Sequence, residues 1–200
     1  MDSIFLVTHC EATHSIQNRV GGWYNSTLTS KGKEQASKLA NFIQNKFEIE
    51  QIQSIYTSDL NRAYQTADII SKDLSLQPIK DSRLREMSFG SHEGMDQSEH
   101  MKLIIPVPEN GNRMDHRICT GSESRRDVAL RAYNFLEEIE ARKDSHIVVS
   151  HGFFSTFLIA AFQKIEINSM GYLNYKLTPG SIIHLQNDNL FENKSISFLL

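Results

Sequence analysis

Three short apolar runs, each closing on a chemically distinctive residue, with helical periods between them, predict an α/β fold. The expected form is a three-layer α/β/α sandwich around a mostly parallel central sheet. The runs are SIFLV (3–7), IQSIYTS (52–58) and HIVVS (146–150); His9 follows the first, Arg62 the second and His151 the third. Two hundred residues are enough for one sizeable core and too few for two. The expectation is therefore a single domain over 1–200, with an irregular cap insertion at about 91–121.

The elements follow in order. SIFLV reads as a buried strand because it is short, apolar and β-branched at its end. Over 26–47 the period changes: Ala36, Leu39, Ala40, Ile43 and Phe47 recur at helical spacing, and Ser30 is the expected N-cap. The strand 52–58 passes straight into a helix over 59–74, where Ala63, Ala67, Ile70 and Leu74 mark one face and Ser58 or Asp59 is the expected cap. Residues 74–90 read as short extended structure. The segment 91–121 holds two of the four prolines, three of the eight histidines and no sustained period, with one short helix expected near 96–104. An amphipathic helix over 122–142 turns Val128, Ala132, Phe135, Leu136 and Ile139 inward, and Ser124 and Asp127 suit its N-terminal cap. After the strand 146–150, FFSTFLIAAF (153–162) reads as a buried helix, and 181–187 with 193–199 as a terminal hairpin.

Composition narrows the function. A net charge of −3 gives no general pull toward nucleic acid or an anionic membrane, so neither is an expected partner and any anion site must be local. Two cysteines, Cys10 and Cys119, cannot build a disulfide framework and suit a reducing compartment. The N-terminus lacks a signal-peptide pattern and the longest apolar run is too short for a bilayer, so the expected location is cytoplasmic. HCE matches the H-x-E of zinc deaminases, but their P-C-x-x-C is absent, as are H-E-x-x-H, G-x-S-x-G and the Walker pattern. No metal or cofactor is expected.

In parallel sheets ligands bind beyond the carboxyl ends of the strands. His9, the 58–62 stretch and His151 should therefore share one rim. Two imidazoles and a guanidinium suit phosphoryl transfer. A neutral imidazole, with an ordinary pKa of about 6.5, is a competent nucleophile near pH 7, and a guanidinium fork neutralises phosphoryl oxygens. A carboxyl group is needed to protonate the leaving oxygen, and the candidates are Glu11 and Glu86.

These residues sit in blocks that resemble the histidine phosphatase (phosphoglycerate-mutase-like) superfamily. THCEATHS (8–15) is similar to its RHGE[TS]xxN motif, and NRVGGWYNSTLTSKGKEQA (18–36) to its NRxxGWxDxxLTxxGxxQA. YTSDLNRAYQTADII (56–70), LREMSFGSHEG (84–94), SESRRD (122–127) and VVSHG (148–152) follow in the family's order. The resemblance implies the phosphoglycerate-mutase-like sandwich, His9 as the residue that becomes phosphohistidine, Glu86 as proton donor and His151 as the second catalytic histidine. It places Arg62, Gly152 and the Arg19–Gly22 loop at the substrate, with Thr8, His14 and Ser15 of the first block beside them. It also implies a small phosphate ester as substrate and the phosphatase branch, because the segment between Glu86 and His151 is short and lacks the arginine-rich stretch of the sugar-acid mutases; the alternative is a mutase-type phosphotransferase, whose loop NRVGGWYN (18–25) resembles.

Three positions depart from the pattern: Thr8 stands for arginine, Cys10 for glycine and Ser15 for asparagine. Loss of one guanidinium from an oxyanion pocket costs about 3 kcal/mol of transition-state stabilisation. His14, Arg19, Arg113, Arg117, Arg125 and Arg126 are the candidate replacements; otherwise the substrate carries its own charge, or the domain binds a phospholigand without turnover. Cys10 is expected to be a small filler rather than a redox thiol. Glu93 and His92 are expected to serve the loop, the Arg125–Arg126 pair to be a solvated helix face, and His100 and His116 to stand off the substrate.

Overall fold

The computed structural model describes residues 3–46, 52–142, 144–188 and 193–200. Six strands form one sheet: β1 (Ser3–Thr8), β2 (Ile52–Thr57), β3 (Pro78–Lys80), β4 (Ser145–Ser150), β5 (Ile182–Asp188) and β6 (Asn193–Phe198), in the order β3-β2-β4-β1-β5-β6. The pairings β3–β2, β2–β4 and β4–β1 are parallel, whereas β5 and β6 close the edge antiparallel. The helices are α1 (Thr13–Ile16), α2 (Ser30–Lys46), α3 (Asn61–Lys72), α4 (Gln97–Leu103), α5 (Arg125–Glu140) and α6 (Gly152–Phe162).

Alternation along β1 explains the layering. Ile4 and Leu6 join the α5–α6 core, and Phe5 and Val7 join the α2–α3 core on the opposite face. Every residue of β1 and β4 is buried, as expected for parallel strands covered on both sides. Helix α6 is buried from Phe154 to Phe162, which is why its sequence carries no polar stripe. Helix α5 begins in a capping box, with Ser124 and Asp127 each bonding the other's backbone.

Register then sets the site. Thr8 lies opposite Ser150, and Thr57 opposite Val149, so three strands end level. His9 N–H donates to the Ser150 carbonyl at 2.8 Å and Ser58 N–H to the Val149 carbonyl at 3.0 Å, carrying the ladder one residue past the strands.

Several boundaries differ from the sequence reading. Thr29, not Ser30, caps α2: its Oγ1 accepts from Gly32 N–H at 2.9 Å, and Ser30 is already helical. Gly32 is required there, since a Cβ would stand 2.0 Å from the Glu11 carbonyl oxygen. Phe47 lies outside the described residues. Neither Ser58 nor Asp59 caps α3; the N-cap is Leu60 without a side-chain bond, and Asp59 is drawn away by Arg85 at 2.5 Å. Extended structure in 74–90 shrinks to Pro78–Lys80, and the short helix of the insertion is α4.

Candidate active site

His9, Arg62 and His151 converge. The rings of His9 and His151 lie 5.1 Å apart, centre to centre, and Arg62 Nε stands 3.2 Å from His9 Nε2. His9 Nδ1 faces the Cys10 carbonyl oxygen at 2.8 Å. A carbonyl can only accept, so Nδ1 carries the proton and Nε2 holds the lone pair. Burial, with the Arg62 charge added, pushes the His9 pKa down to about 3, so the imidazole is neutral at pH 7.

Arg62 is the largest side chain buried to this depth, 1% exposed. Its Nη1 donates to the Tyr24 carbonyl at 2.8 Å and its Nη2 to the Gly22 carbonyl at 2.6 Å. Gly22 turns its carbonyl inward from a left-handed backbone (φ +48°), and a Cβ there would press on the Phe89 ring at 2.8 Å. Burial lowers the Arg62 pKa to about 10, opposed by the carboxylates of Glu86 and Glu93, and the guanidinium stays charged.

His151 caps α6 from an extended backbone, fully buried. Ser58 Oγ lies 2.9 Å from its Nε2, while Nδ1 has no partner among the described residues. Its pKa is held well below the ordinary range by burial first, then by Arg62. Glu86 rests on the first turn of the same helix. Its Oε1 accepts from Phe154 N–H at 2.9 Å and Met87 N–H at 2.9 Å, and its Oε2 from Phe153 N–H at 3.1 Å. Arg131 and Trp23 both donate to the Glu86 carbonyl oxygen, at 3.0 and 2.7 Å, and fix the loop that carries it.

Two adjoining cavities open beside these groups: His9, His14, Ser15 and Glu86 line both, whereas His151 is buried behind them and lines neither. The first, about 380 Å³, adds Arg19, Gly22, Arg62 and His100; the second, about 330 Å³, adds Thr8, Gly152, Phe153 and Lys176. His14 Nδ1 meets Ser26 Oγ at 2.7 Å, and burial with the Arg62 charge lowers its pKa to about 4, so His14 brings no cation. Ser15 Oγ donates to the Ala12 carbonyl at 2.7 Å, and Arg19 Nη1 to the Gly94 carbonyl at 2.7 Å, which leaves the rest of that guanidinium at the cavity wall. Gly152 allows a close approach: a Cβ would stand 2.9 Å from the Leu177 carbonyl oxygen. Among the described residues, no three His, Cys, Asp or Glu are grouped to hold a metal.

The structure sorts the remaining candidates. Thr8 lies in the wall, but its hydroxyl closes a local loop, donating to the Thr178 carbonyl at 2.6 Å and accepting from Ser181 N–H at 2.9 Å. Glu11 turns to Lys31 at 3.0 Å and to Thr29 at 2.8 Å, away from the acid's position. Cys10 is fully buried and its thiol pKa is pushed up to about 12 by that burial, which makes it an inert filler. Glu93 accepts from Ser88 Oγ and Phe89 N–H, and His92 meets His100 at 3.0 Å, all within the loop. Arg117 pairs with Asp127 and Arg126 with Asp115, so neither brings an unpaired cation to the Thr8 side. Arg125 departs from the solvated face expected of it: with Arg113, His100 and His116 it lines a third cavity of about 270 Å³.

Sequence reading missed Lys176, which faces the second cavity beside Thr8 and has no carboxylate partner among the described residues. Its left-handed backbone (φ +49°) is unusual for lysine. It missed Arg131 as well, whose only signal was its place on the inward side of α5.

A sequence profile of the histidine phosphatase superfamily, branch 1, matches residues 4–194. The chain belongs to that superfamily. Among curated histidine phosphatase relatives, a Hydrogenobacter thermophilus protein provisionally named phosphoserine phosphatase 2 is 30% identical over 195 residues, covering 94% of this chain and 92% of the relative. An Escherichia coli protein provisionally named a phosphoglycerate mutase is 32% identical over 160 residues, covering 76% and 70% of the two chains. The fold is shared with a mycobacterial glucosyl-3-phosphoglycerate phosphatase solved with vanadate, with a TM-score of 0.80, 24% identity and 100% and 98% coverage. Among the described residues no helix is long and apolar enough to cross a membrane.

Proposed function

We propose that residues 1–200 form one histidine phosphatase domain that hydrolyses a small phosphomonoester in two steps, without metal, through phosphohistidine on His9. The observation that carries this reading is the tautomer: the Cys10 carbonyl fixes the proton on Nδ1 and leaves the Nε2 lone pair beside Arg62.

On binding, phosphoryl oxygens take the Arg62 Nε–H that otherwise faces Nε2, and His151 donates to the same group as charge develops. Nε2 bonds to phosphorus while the bond to the leaving oxygen breaks, and Glu86, having first taken a proton from solvent, delivers it to that oxygen. Glu86 then takes a proton from water as the water displaces His9 from phosphorus. Lys176 supplies on the Thr8 side the charge that arginine gives in the family pattern. Phosphoserine and glucosyl-3-phosphoglycerate, for which relatives are named, each pair a phosphate with a carboxylate, which supports a small acidic ester as the substrate here.

Two alternatives make different predictions. A mutase returns the phosphoryl group to a sugar acid and would interconvert phosphoglycerates faster than it releases phosphate. A non-catalytic binder would retain vanadate and turn over nothing. In the phosphatase, His9→Ala abolishes both hydrolysis of an aryl phosphate and the acid-labile phosphoenzyme, and vanadate inhibits the parent. Unchanged hydrolysis by His9→Ala ends the reading.

A further inference from the structure

The third cavity is not used by the chemistry described above, yet it adjoins the reaction centre. It shares Phe89 and His100 with the first cavity and Phe153 with the second. Its body is apolar, built from Met87, Phe89, Ile104, Val107, Ile118 and Phe153. Against that apolar wall stand two guanidiniums, Arg113 and Arg125.

These two arginines differ from their neighbours in sequence. Arg117 and Arg126 are each neutralised by an aspartate. Arg113 and Arg125 have no carboxylate partner among the described residues. Each is instead tethered by one nitrogen to a carbonyl of the same short segment: Arg113 Nε to Gly171 at 3.0 Å and Arg125 Nη1 to Leu173 at 3.2 Å. The Arg113 guanidinium also lies 4.7 Å from the Tyr172 ring centre, and that of Arg125 lies 5.0 Å from the Phe153 ring centre. One hydrogen bond and one ring hold each fork in place, and its other N–H groups have no partner among the described residues.

The arrangement is costly for the empty protein. Two like charges converge in a partly buried apolar recess, and burial together with Arg113 lowers the Arg125 pKa. Arg125 is moreover the first residue of α5, where the helix dipole disfavours a cation. A bound oxyanion would relieve all three costs at once, and two forks offer it charge-assisted hydrogen bonds.

Resting on the phosphatase reading, we infer that the leaving group of the substrate extends into this cavity. It carries an apolar body and, beyond it, a second oxyanion, a carboxylate or a phosphate, held between Arg113 and Arg125. The Phe89, Phe153 and Ile118 walls take the body. Arg62 and the two histidines remain with the phosphate that is cleaved.

The test uses benzylphosphonates that cannot be hydrolysed, titrated calorimetrically into the intact protein. The para substituent is a carboxylate, a phosphonate or a neutral carboxamide, set on one ring or at the far end of a biphenyl. At least one anionic member should bind about tenfold or more tightly than the carboxamide of the same length. The better anion identifies the source. In Arg113→Met/Arg125→Met that preference should fall to within about twofold while the carboxamide binds as before, and Arg113→Lys/Arg125→Lys should restore part of it. Carboxamide binding equal to that of the parent shows that the variant is folded. Equal affinity for charged and neutral members at both lengths overturns the site, as does a preference that survives in the double methionine variant. Failure of the phosphatase reading looks different: the matching phosphate esters would not be hydrolysed, whatever the phosphonates show.

Discussion

The two walls that flank His9 carry positive charge in opposite ways. On one side Arg62 is buried to 1%, its guanidinium locked by the Gly22 and Tyr24 carbonyls before any ligand arrives. On the other, Thr8 turns its hydroxyl into the backbone of 178–181, and the exposed side chain of Lys176 lines the same cavity. The first wall has its charge fixed in advance, and in the proposed reaction the second acquires it when substrate binds. The contrast teaches that preorganisation in this site is unevenly distributed, so equal losses of charge should have unequal effects.

The largest effect should follow Arg62→Ala. Removing the fixed fork should lower kcat/KM by about a thousandfold, and a loss under tenfold would break the contrast. Glu86→Gln comes next. It should lower kcat by about a hundredfold on an alkyl phosphate and by much less on 4-nitrophenyl phosphate, whose leaving group needs no proton; equal losses would remove Glu86 from the acid role. Lys176→Met should cost about tenfold in kcat/KM, a loss that shrinks as salt rises, because an exposed charge is screened. Thr8→Val tests the same wall from its structural side. It should cost about 1–3 kcal/mol of stability in denaturant unfolding, with KM nearly unchanged, because its two backbone bonds serve the fold.

The fixed wall also has a pH signature. His9 is lowered from 6.5 to about 3 in the folded protein, so between those values the unfolded chain binds more protons than the native one. Stability from His9 is therefore complete above about pH 6.5 and is lost as pH falls toward 3. By pH 5 the loss from His9 alone is up to about 2 kcal/mol, which corresponds to about 4–8 °C in Tm. His151, lowered in the same direction by burial, adds to it. A melting temperature that stays flat from pH 7 to pH 5 would mean that the histidine cluster is not held neutral.

The sequence made the fixed wall legible and left the other dark, for physical reasons. Strand runs that stop on His9 and His151, and a helix that starts just before Arg62, announce a shared rim because parallel strands end together. Helical period found α2, α3, α5 and α6, since each presents at least one apolar face to the sheet. Caps were less readable. Thr29 and Ser30 are both good capping residues, and only the close packing of Gly32 on the Glu11 carbonyl settles which one is used. Asp59 looked like a cap until Arg85, 26 positions away, claimed it. Lys176 and Arg113 lie in irregular segments whose path is fixed by tertiary contacts, where no period points a side chain. Arg125 looked solvated because its helix position faces outward in an isolated α5; the 171–173 segment that folds over it is distant in sequence.

One consequence follows from Glu86 resting on α6. Glu86 and His151 ride on the same rod, one gripping its opening amides and the other capping its start, and that rod is buried from Phe154 to Phe162. Reshaping the cap can therefore alter which ester is admitted while the spacing between proton source and transferred group stays put. Conversely, an oversized substitution deep along the rod, at Ala160 for instance, would detune the chemistry without touching any cavity. Random libraries screened for turnover should accordingly find their silent damage in the interior and their new specificities in the cap.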